Sequence, residues 1–242
     1  MKYPLFIITI TALAVFFSGC SAQIEGSLRQ NGSADLQVEA ALEPRMTALI
    51  RRFQAMSAPE TAAEALILDG SAMAQSMAAA PGIGEVSFRN TAPAAIAGRM
   101  VISKVDAFLA GPSQAGKIPF ISYNPGGSGG GGKLRLFLDR QSAPQALTLF
   151  SADLSGYLSA LMAPAVTGLA LSKDEYLTQL SMIYGRPLAD EIAAARINAA
   201  IDFPAPITSI QGGTAQGARA RFSIPLLDIL TLETPFICEV QW

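Results

Sequence analysis

The 242-residue chain contains no histidine. Histidine is the commonest acid–base side chain near neutral pH, so its absence excludes Ser-His-Asp and Cys-His nucleophile systems and histidine-bound zinc. Cysteine is almost as scarce: only Cys20 and Cys238 are present, which excludes metal sites built from several thiolates. Catalysis by this chain would have to rely on carboxylates, lysine, tyrosine or a Ser-Lys pair, and no residue pattern indicates a cofactor.

Charged residues are also few. They make up 15% of the sequence and leave a formal net charge of −2, so we expect no nucleic-acid partner. Half of the residues are apolar, and the length is sufficient for one large domain or two small ones with a proper core. Cys238 lies in an apolar run near the end of the chain and is interpreted as a small buried hydrophobe.

The chain begins with a short apolar segment behind a single charge. Lys2 precedes the uncharged thirteen-residue stretch Leu5–Phe17, and Ser18-Gly19-Cys20 follows it. A charged start, an apolar middle of about 7 to 15 residues and a small-residue cleavage site are typical of a secretory signal. A membrane-spanning helix needs about 20 apolar residues. The arrangement resembles a bacterial lipoprotein signal with its lipobox, except that Phe17 stands where such signals usually carry leucine.

The resemblance implies that residues 1–19 are a signal peptide that is removed, and that Cys20 is the lipidation site. Residues 20–242 would then form one extracytoplasmic domain in the cell envelope, with the membrane as its partner through the lipid on Cys20. One acyl chain binds a membrane only marginally, whereas two or three anchor a protein stably. Two alternatives are an ordinary signal peptide cut nearby, with Cys20 incidental, and a cytoplasmic protein with a buried amino-terminal helix.

The remaining sequence predicts an α+β fold, with a largely antiparallel sheet and helices packed on one face. Asn31-Gly32 is a strong hairpin signal between two strand-like runs. Apolar side chains at helical spacing predict two core-facing stripes: Met46, Leu49, Ile50, Phe53 and Met56 in one, and Tyr176, Leu177, Leu180 and Ile183 in the other. Further helices are expected over residues 57–81, 142–162 and 187–197. Further strands are expected over residues 85–90, 97–103, 117–123, 133–139, 198–203, 218–224 and 235–242.

A glycine-rich stretch at 124–132 separates two of these strands. Gly127–Lys133 satisfies the G-x-x-x-x-G-K part of a phosphate-binding loop. Such a loop needs a serine or threonine after the lysine and a helix behind it, but Leu134 follows here and the next residues alternate like a strand. We therefore interpret the stretch as a hairpin loop rather than a nucleotide site.

Two groups of charged residues are candidates for function. Arg45, Arg51 and Arg52 form a small basic patch that would suit anionic lipid or an envelope polymer, although a solvated helix face explains it better. The pairs Asp174-Glu175 and Asp190-Glu191 could be glycosidase carboxylates, but each lies near a predicted helix start, where acids complement the helix dipole.

The sequence therefore predicts a lipid-anchored envelope protein that is not an enzyme and that binds or scaffolds at the membrane surface. Its partner would be an envelope protein or an apolar ligand. Two alternatives stay open: a carrier of an apolar small molecule or lipid, and a histidine-free hydrolase that uses carboxylates. A continuous apolar cavity would favour the carrier, and buried acids that converge in a cleft would favour the hydrolase.

Overall fold

The computed structural model describes residues 20–57, 66–110, 120–126, 131–143, 161 and 163–242. Its strands are β1 (Cys20–Leu28), β2 (Ala34–Ala41), β3 (Ile83–Ala92), β4 (Ala95–Ile102), β5 (Ile121–Asn124), β6 (Lys133–Leu138), β7 (Arg196–Asp202), β8 (Ser209–Gln211), β9 (Thr214–Gln216), β10 (Arg219–Pro225) and β11 (Phe236–Gln241). Its helices are α1 (Pro44–Ser57), α2 (Gly70–Ala78), α3 (Val105–Ala110), α4 (Pro164–Thr167), α5 (Lys173–Tyr184), α6 (Arg186–Ala194) and α7 (Leu226–Thr231).

Seven strands form a large sheet in the order β3-β4-β2-β1-β7-β10-β9. Only the β1–β7 pair is parallel, and the other neighbours in this sheet are antiparallel. The register places Ile24, Val38, Ala199 and Phe222 on one face. The opposite face is polar and carries ion pairs, such as Arg219 Nη1 to Asp202 Oδ2 at 2.8 Å. This alternation is expected for a sheet that has one face on a core and the other in water.

A second sheet of four strands, in the order β5-β6-β11-β8, packs against the apolar face of the large sheet. Between them lies a core to which both sheets and helices α2 and α3 contribute. Val240 and Trp242 are buried in it, and the centroids of the Trp242 and Phe203 rings are 4.8 Å apart. We call this the sheet core; its buried members are Leu28, Ala34, Phe88, Met100, Ile102, Val105, Leu109, Phe203, Ala220, Val240 and Trp242.

A second cluster of buried residues is built almost entirely from helices. It joins α1, α5, α6 and α7, and its buried members are Met46, Ile50, Ile67, Leu161, Ala163, Tyr176, Leu180, Leu188, Ala189, Ile192, Leu227 and Leu230. We call it the helical core. Tyr176 is fully buried there, and its hydroxyl donates a hydrogen bond to the Leu161 carbonyl at 3.1 Å. Burial raises the pKa of Tyr176 well above its ordinary value, so this phenol stays neutral.

The α+β class and the largely antiparallel sheet are confirmed. The Asn31-Gly32 turn joins β1 to β2, and Gly32 has a φ of +75°, which favours glycine at this position. Three details differ from the expectations. Strands are divided between two sheets. In the helix expected over 57–81, the described residues 66–69 are not helical, and α2 begins at Gly70. Helix α6 ends at Ala194, so that Arg196 already belongs to β7. The helix expected over 142–162 lies almost wholly outside the described residues.

Within the described ranges, no helix combines the length and the apolar character that crossing a membrane requires.

Candidate functional site

Cys20, the expected lipidation site, is the first residue of β1 and is paired with Arg196 of β7. Two residues later, Ala22 is already held on both sides, by Ala40 of β2 and Ile197 of β7. Cys20 and Ala22 therefore both belong to the paired part of the large sheet. A lipid on Cys20 would therefore be attached to the folded domain without a flexible linker.

The same end of the large sheet is where several strands meet the helices. Strand β2 runs into α1, α6 runs into β7, and β10 runs into α7. Backbone hydrogen bonds tie these junctions together: Leu226 N–H donates to the Ala195 carbonyl at 2.9 Å, and Leu42 N–H donates to the Ala94 carbonyl at 2.9 Å. The helical core therefore lies beside the end of the large sheet at which β1 begins.

Glu191, one of the candidate catalytic acids, has a structural role in this region. Its two carboxylate oxygens accept hydrogen bonds from the backbone N–H groups of Arg45 at 3.0 Å and Met46 at 2.8 Å. It thus caps the amino terminus of α1 from a different helix. The expectation that Asp190 and Glu191 complement the start of their own helix is wrong, because α6 begins at Arg186 and has no acid in its first turn.

The other acidic pair does lie at a helix start. Glu175 and Ser172 form a reciprocal capping box on α5, with the Ser172 N–H donating to Glu175 Oε2 at 2.8 Å. This backbone hydrogen bond, together with one from the serine hydroxyl, holds the pKa of Glu175 below its ordinary value. Glu175 and Glu191 therefore serve two separate helix termini rather than one shared cleft. Across the described residues, no group of three or more His, Cys, Asp or Glu side chains is placed to bind a metal ion.

The glycine-rich stretch is described only at its ends. Gly132 lies against the indole of Trp242, so a Cβ at position 132 would collide with the ring. The backbone N–H of Trp242 donates a hydrogen bond to the Gly132 carbonyl at 3.1 Å. Lys133 begins β6, and its Nζ lies 2.7 Å from Glu239 Oε1. The expected strand after the glycines is confirmed. Its lysine is engaged by a carboxylate, which is unlike a phosphate-binding loop.

An open cleft of about 510 Å³ lies at the middle of the large sheet. Ile24, Ala199 and Phe222 line it from the apolar face, and Gly213 of the β8–β9 turn lies against the Phe222 ring. Polar residues, including Gln23, Asn198, Thr214 and Ser223, also line the cleft. Its volume is within the usual range of small-molecule sites, which is about 300 to 1,000 Å³.

Cys238 is buried in β11, as the sequence predicts. Burial raises the pKa of its thiol to about 11. A thiol that is protonated and covered is a poor nucleophile, so Cys238 is chemically inert in the folded protein. We therefore expect that Cys238 does not compete with Cys20 for acylation or labelling.

Sequence reasoning missed how the two predicted helical stripes end. Leu180 and Ile50 are buried as expected, but Met56 at the end of α1 is 68% exposed and Ile183 at the end of α5 is 52% exposed. Met182, beside Ile183, is 81% exposed. The stripes continue past the helical core, and periodicity alone cannot show where a core stops.

Comparisons with known proteins add little. No protein-family model matches the chain, and no curated protein does. Its structure is similar to the NMR structure of the folded domain of the LppM protein from Mycobacterium tuberculosis, with a TM-score of 0.37 and 14% sequence identity. That similarity covers 93% of this chain and 91% of the other. So distant a likeness has no bearing on function.

Proposed function

We propose that this protein is a lipid-anchored component of the cell envelope, acylated on Cys20, that binds or scaffolds at the membrane surface and is not an enzyme. The observation that carries the proposal is the order of residues at the start of the chain: Lys2, the apolar stretch Leu5–Phe17 and the small residues before Cys20. The geometry is compatible, because Cys20 is the first residue of β1.

The described carboxylates support a non-catalytic role. Glu175 and Glu191 are occupied by backbone N–H groups at helix termini, and Glu239 is paired with Lys133. A glycoside hydrolase that relies on carboxylates would need two carboxyl groups facing one substrate site, at about 5 to 9.5 Å from each other. The acids that the sequence singled out instead stabilise separate elements of the fold.

Metabolic labelling with an alkyne fatty acid tests the anchor. Cells that produce the full-length protein should incorporate the label into a membrane-associated species, and Cys20→Ala should abolish it. The matched control is Cys238→Ala, which removes the other cysteine and should leave labelling unchanged, because that thiol is buried. Labelling that persists in Cys20→Ala would refute the attachment site. Crosslinking in intact cells, followed by mass spectrometry, should retrieve a reproducible envelope protein if the role is scaffolding.

A second candidate function, a carrier of an apolar small molecule or lipid, is favoured by the cleft beside Phe222. Ala199 of β7 lines the cleft, whereas Ala97 of β4 lies on the polar face of the same sheet and does not line it, so they form a matched pair. In a carrier, Ala199→Leu should reduce binding of a fluorescent fatty-acid probe because the new side chain enters the cleft from the apolar face. Ala97→Leu should bind the probe as the unmodified protein does. Equal binding by both variants would count against a carrier.

A further inference from the structure

The large apolar side chains that are exposed in the described residues lie in helices or in the segments that lead into helices. They are Met56, Leu66, Leu169, Met182 and Ile183. All of them belong to helices α1 and α5 or to the segments that precede α2 and α5, and none belongs to a strand. Single exposed hydrophobic residues are normal on protein surfaces, but a local concentration of them indicates an interaction surface.

Three of these side chains are carried by helix ends that contact each other. The rings of Phe53 in α1 and Tyr184 in α5 meet edge to face, with their centroids 6.5 Å apart. Met56 follows Phe53 by about one helical turn, and Ile183 directly precedes Tyr184. We call Met56, Met182 and Ile183 the apolar tip.

Two arginines adjoin the apolar tip. Arg52 precedes Met56 by four residues on α1, so both lie on one side of that helix. Arg186 lines a shallow groove with Met182, and its side chain is 85% exposed. It forms an ion pair with Asp190 of α6, which lies 3.7 Å away and is itself exposed. The acids of α5, Asp174 and Glu175, are in its first turn, at the end of that helix opposite to Met182.

The apolar tip lies close to the expected anchor. Helix α6 begins at Arg186, next to the tip, and leads through Ala195 to Arg196, which pairs with Cys20. A helix of nine residues is about 14 Å long, so one short helix and a two-residue connection lead from the tip to the partner of Cys20. Since Cys20 is already part of β1, a lipid on it would hold this end of the domain against the bilayer.

We infer that the apolar tip lies on the surface of the same bilayer that holds the lipid of Cys20, with Met56, Met182 and Ile183 at the boundary between headgroups and acyl chains. Arg52 and Arg186 would then contact anionic headgroups. This inference rests on the proposed anchor. It gives the domain one orientation, with the helical core towards the membrane and the far end of the two sheets towards the solvent.

Site-directed fluorescence tests this orientation. Met182→Cys in the full-length protein, purified from cell membranes with its lipid, is labelled with the environment-sensitive dye NBD and placed in vesicles of phosphatidylethanolamine and phosphatidylglycerol. Cys238 does not compete for the dye, because its thiol is buried with a raised pKa. Ser87→Cys is the matched control, since Ser87 is exposed on the polar face of the large sheet. Fatty-acid labelling of each sample verifies the anchor separately.

We expect blue-shifted emission at position 182 that lipids carrying a doxyl spin label quench, and unquenched, water-like emission at position 87. Quenching at position 182 should also fall when Met56 and Ile183 are both replaced by aspartate. A lipidated protein whose position 182 is not quenched would overturn the orientation while leaving the anchor intact. A blue shift without quenching by lipid would mean that protein, including a second copy of this chain, covers the tip, and would also overturn it. Absence of fatty acid on Cys20 would overturn the anchor and the inference together.

Discussion

The surface that covers the sheet core and the surface that covers the helical core differ in polarity. The outer faces of the two sheets carry ion pairs, such as Arg99 Nε to Asp35 Oδ1 at 2.8 Å and Lys133 Nζ to Glu239 Oε1 at 2.7 Å. The helical region exposes Met56, Met182 and Ile183. The sheets thus present a surface suited to water, whereas the helices present one suited to a less polar medium.

This contrast agrees with the position of Cys20, the proposed anchor. Cys20 enters the large sheet at the end where the helices gather, and the charged rows of the sheet extend away from it. A protein that is tethered at one end has two environments, and its surface chemistry should differ between them. If the two cores are as distinct as their packing indicates, substitutions in and around them should change the free energy of unfolding by different amounts.

The largest effect is expected in the sheet core. Trp242→Ala removes a buried indole that packs on Phe203 and on Gly132, and it should lower the free energy of unfolding by about 3–5 kcal/mol. Urea denaturation followed by far-ultraviolet circular dichroism measures this change. Ser122→Ala, on the exposed face of the small sheet, should change stability by no more than about 0.5 kcal/mol. A loss below about 1 kcal/mol for Trp242→Ala would show that Trp242 does not pack in the sheet core.

A second test compares two residues of one predicted stripe. Leu180 is 1% exposed and Ile183 is 52% exposed, although both lie on the same side of α5 by spacing. Leu180→Ala should cost about 2–5 kcal/mol of stability, because it leaves a cavity in the helical core. Ile183→Ala should cost no more than about 0.5 kcal/mol. Similar losses for both variants would mean that the helical core extends over Ile183 and that the apolar tip is not exposed.

A third test concerns the cap that joins α6 to α1. Glu191→Ala leaves the N–H groups of Arg45 and Met46 without their acceptor and should lower stability by about 0.5–2 kcal/mol. Asp190→Ala, its neighbour in the same helix, removes only an exposed carboxylate 3.7 Å from Arg186 and should change stability by about 0.5 kcal/mol or less. If the two variants were equally stable, the capping role of Glu191 would be wrong.

The smallest effect is expected from the ion pairs on the sheet surface. A hydrogen bond from Lys133 lowers the pKa of Glu239 below its ordinary value of 4.5. The ionised form therefore stabilises the folded state above pH 4.5, and this contribution is lost as the pH falls through the lowered pKa. Glu239→Gln should be slightly less stable than the unmodified protein at neutral pH, and this difference should shrink in acid. A difference that stays constant down to pH 2 would contradict the pairing.

Local signals in the sequence predicted much of the fold. Asn31-Gly32 predicted its hairpin, although only Gly32 of the two adopts a positive φ. Asp174-Glu175 indicated the start of α5, because acids complement the helix dipole there. The division into two sheets was not predictable, because it depends on which strands pair across long stretches of chain. Helix α7 was missed, since its apolar residues resemble a strand as much as a helix over so short a length.

The candidate site was predictable only in part. Cys20 could be singled out because a signal sequence is read locally, before the protein folds. The role of Glu191 could not, since its partners Arg45 and Met46 are remote in the sequence. The apolar tip was hidden for a related reason: Met56 and Ile183 continue the apolar stripes of their helices, and only the packing of other elements shows that these stripes extend beyond the core.

The most direct test of the account is the mass of the amino-terminal peptide of the protein isolated from its own cells. We predict a membrane fraction in which this peptide begins at Cys20 and carries a lipid group, whose mass disappears in Cys20→Ala. A soluble protein that still contains Lys2 and the Leu5–Phe17 stretch, with an unmodified thiol at Cys20, would contradict it.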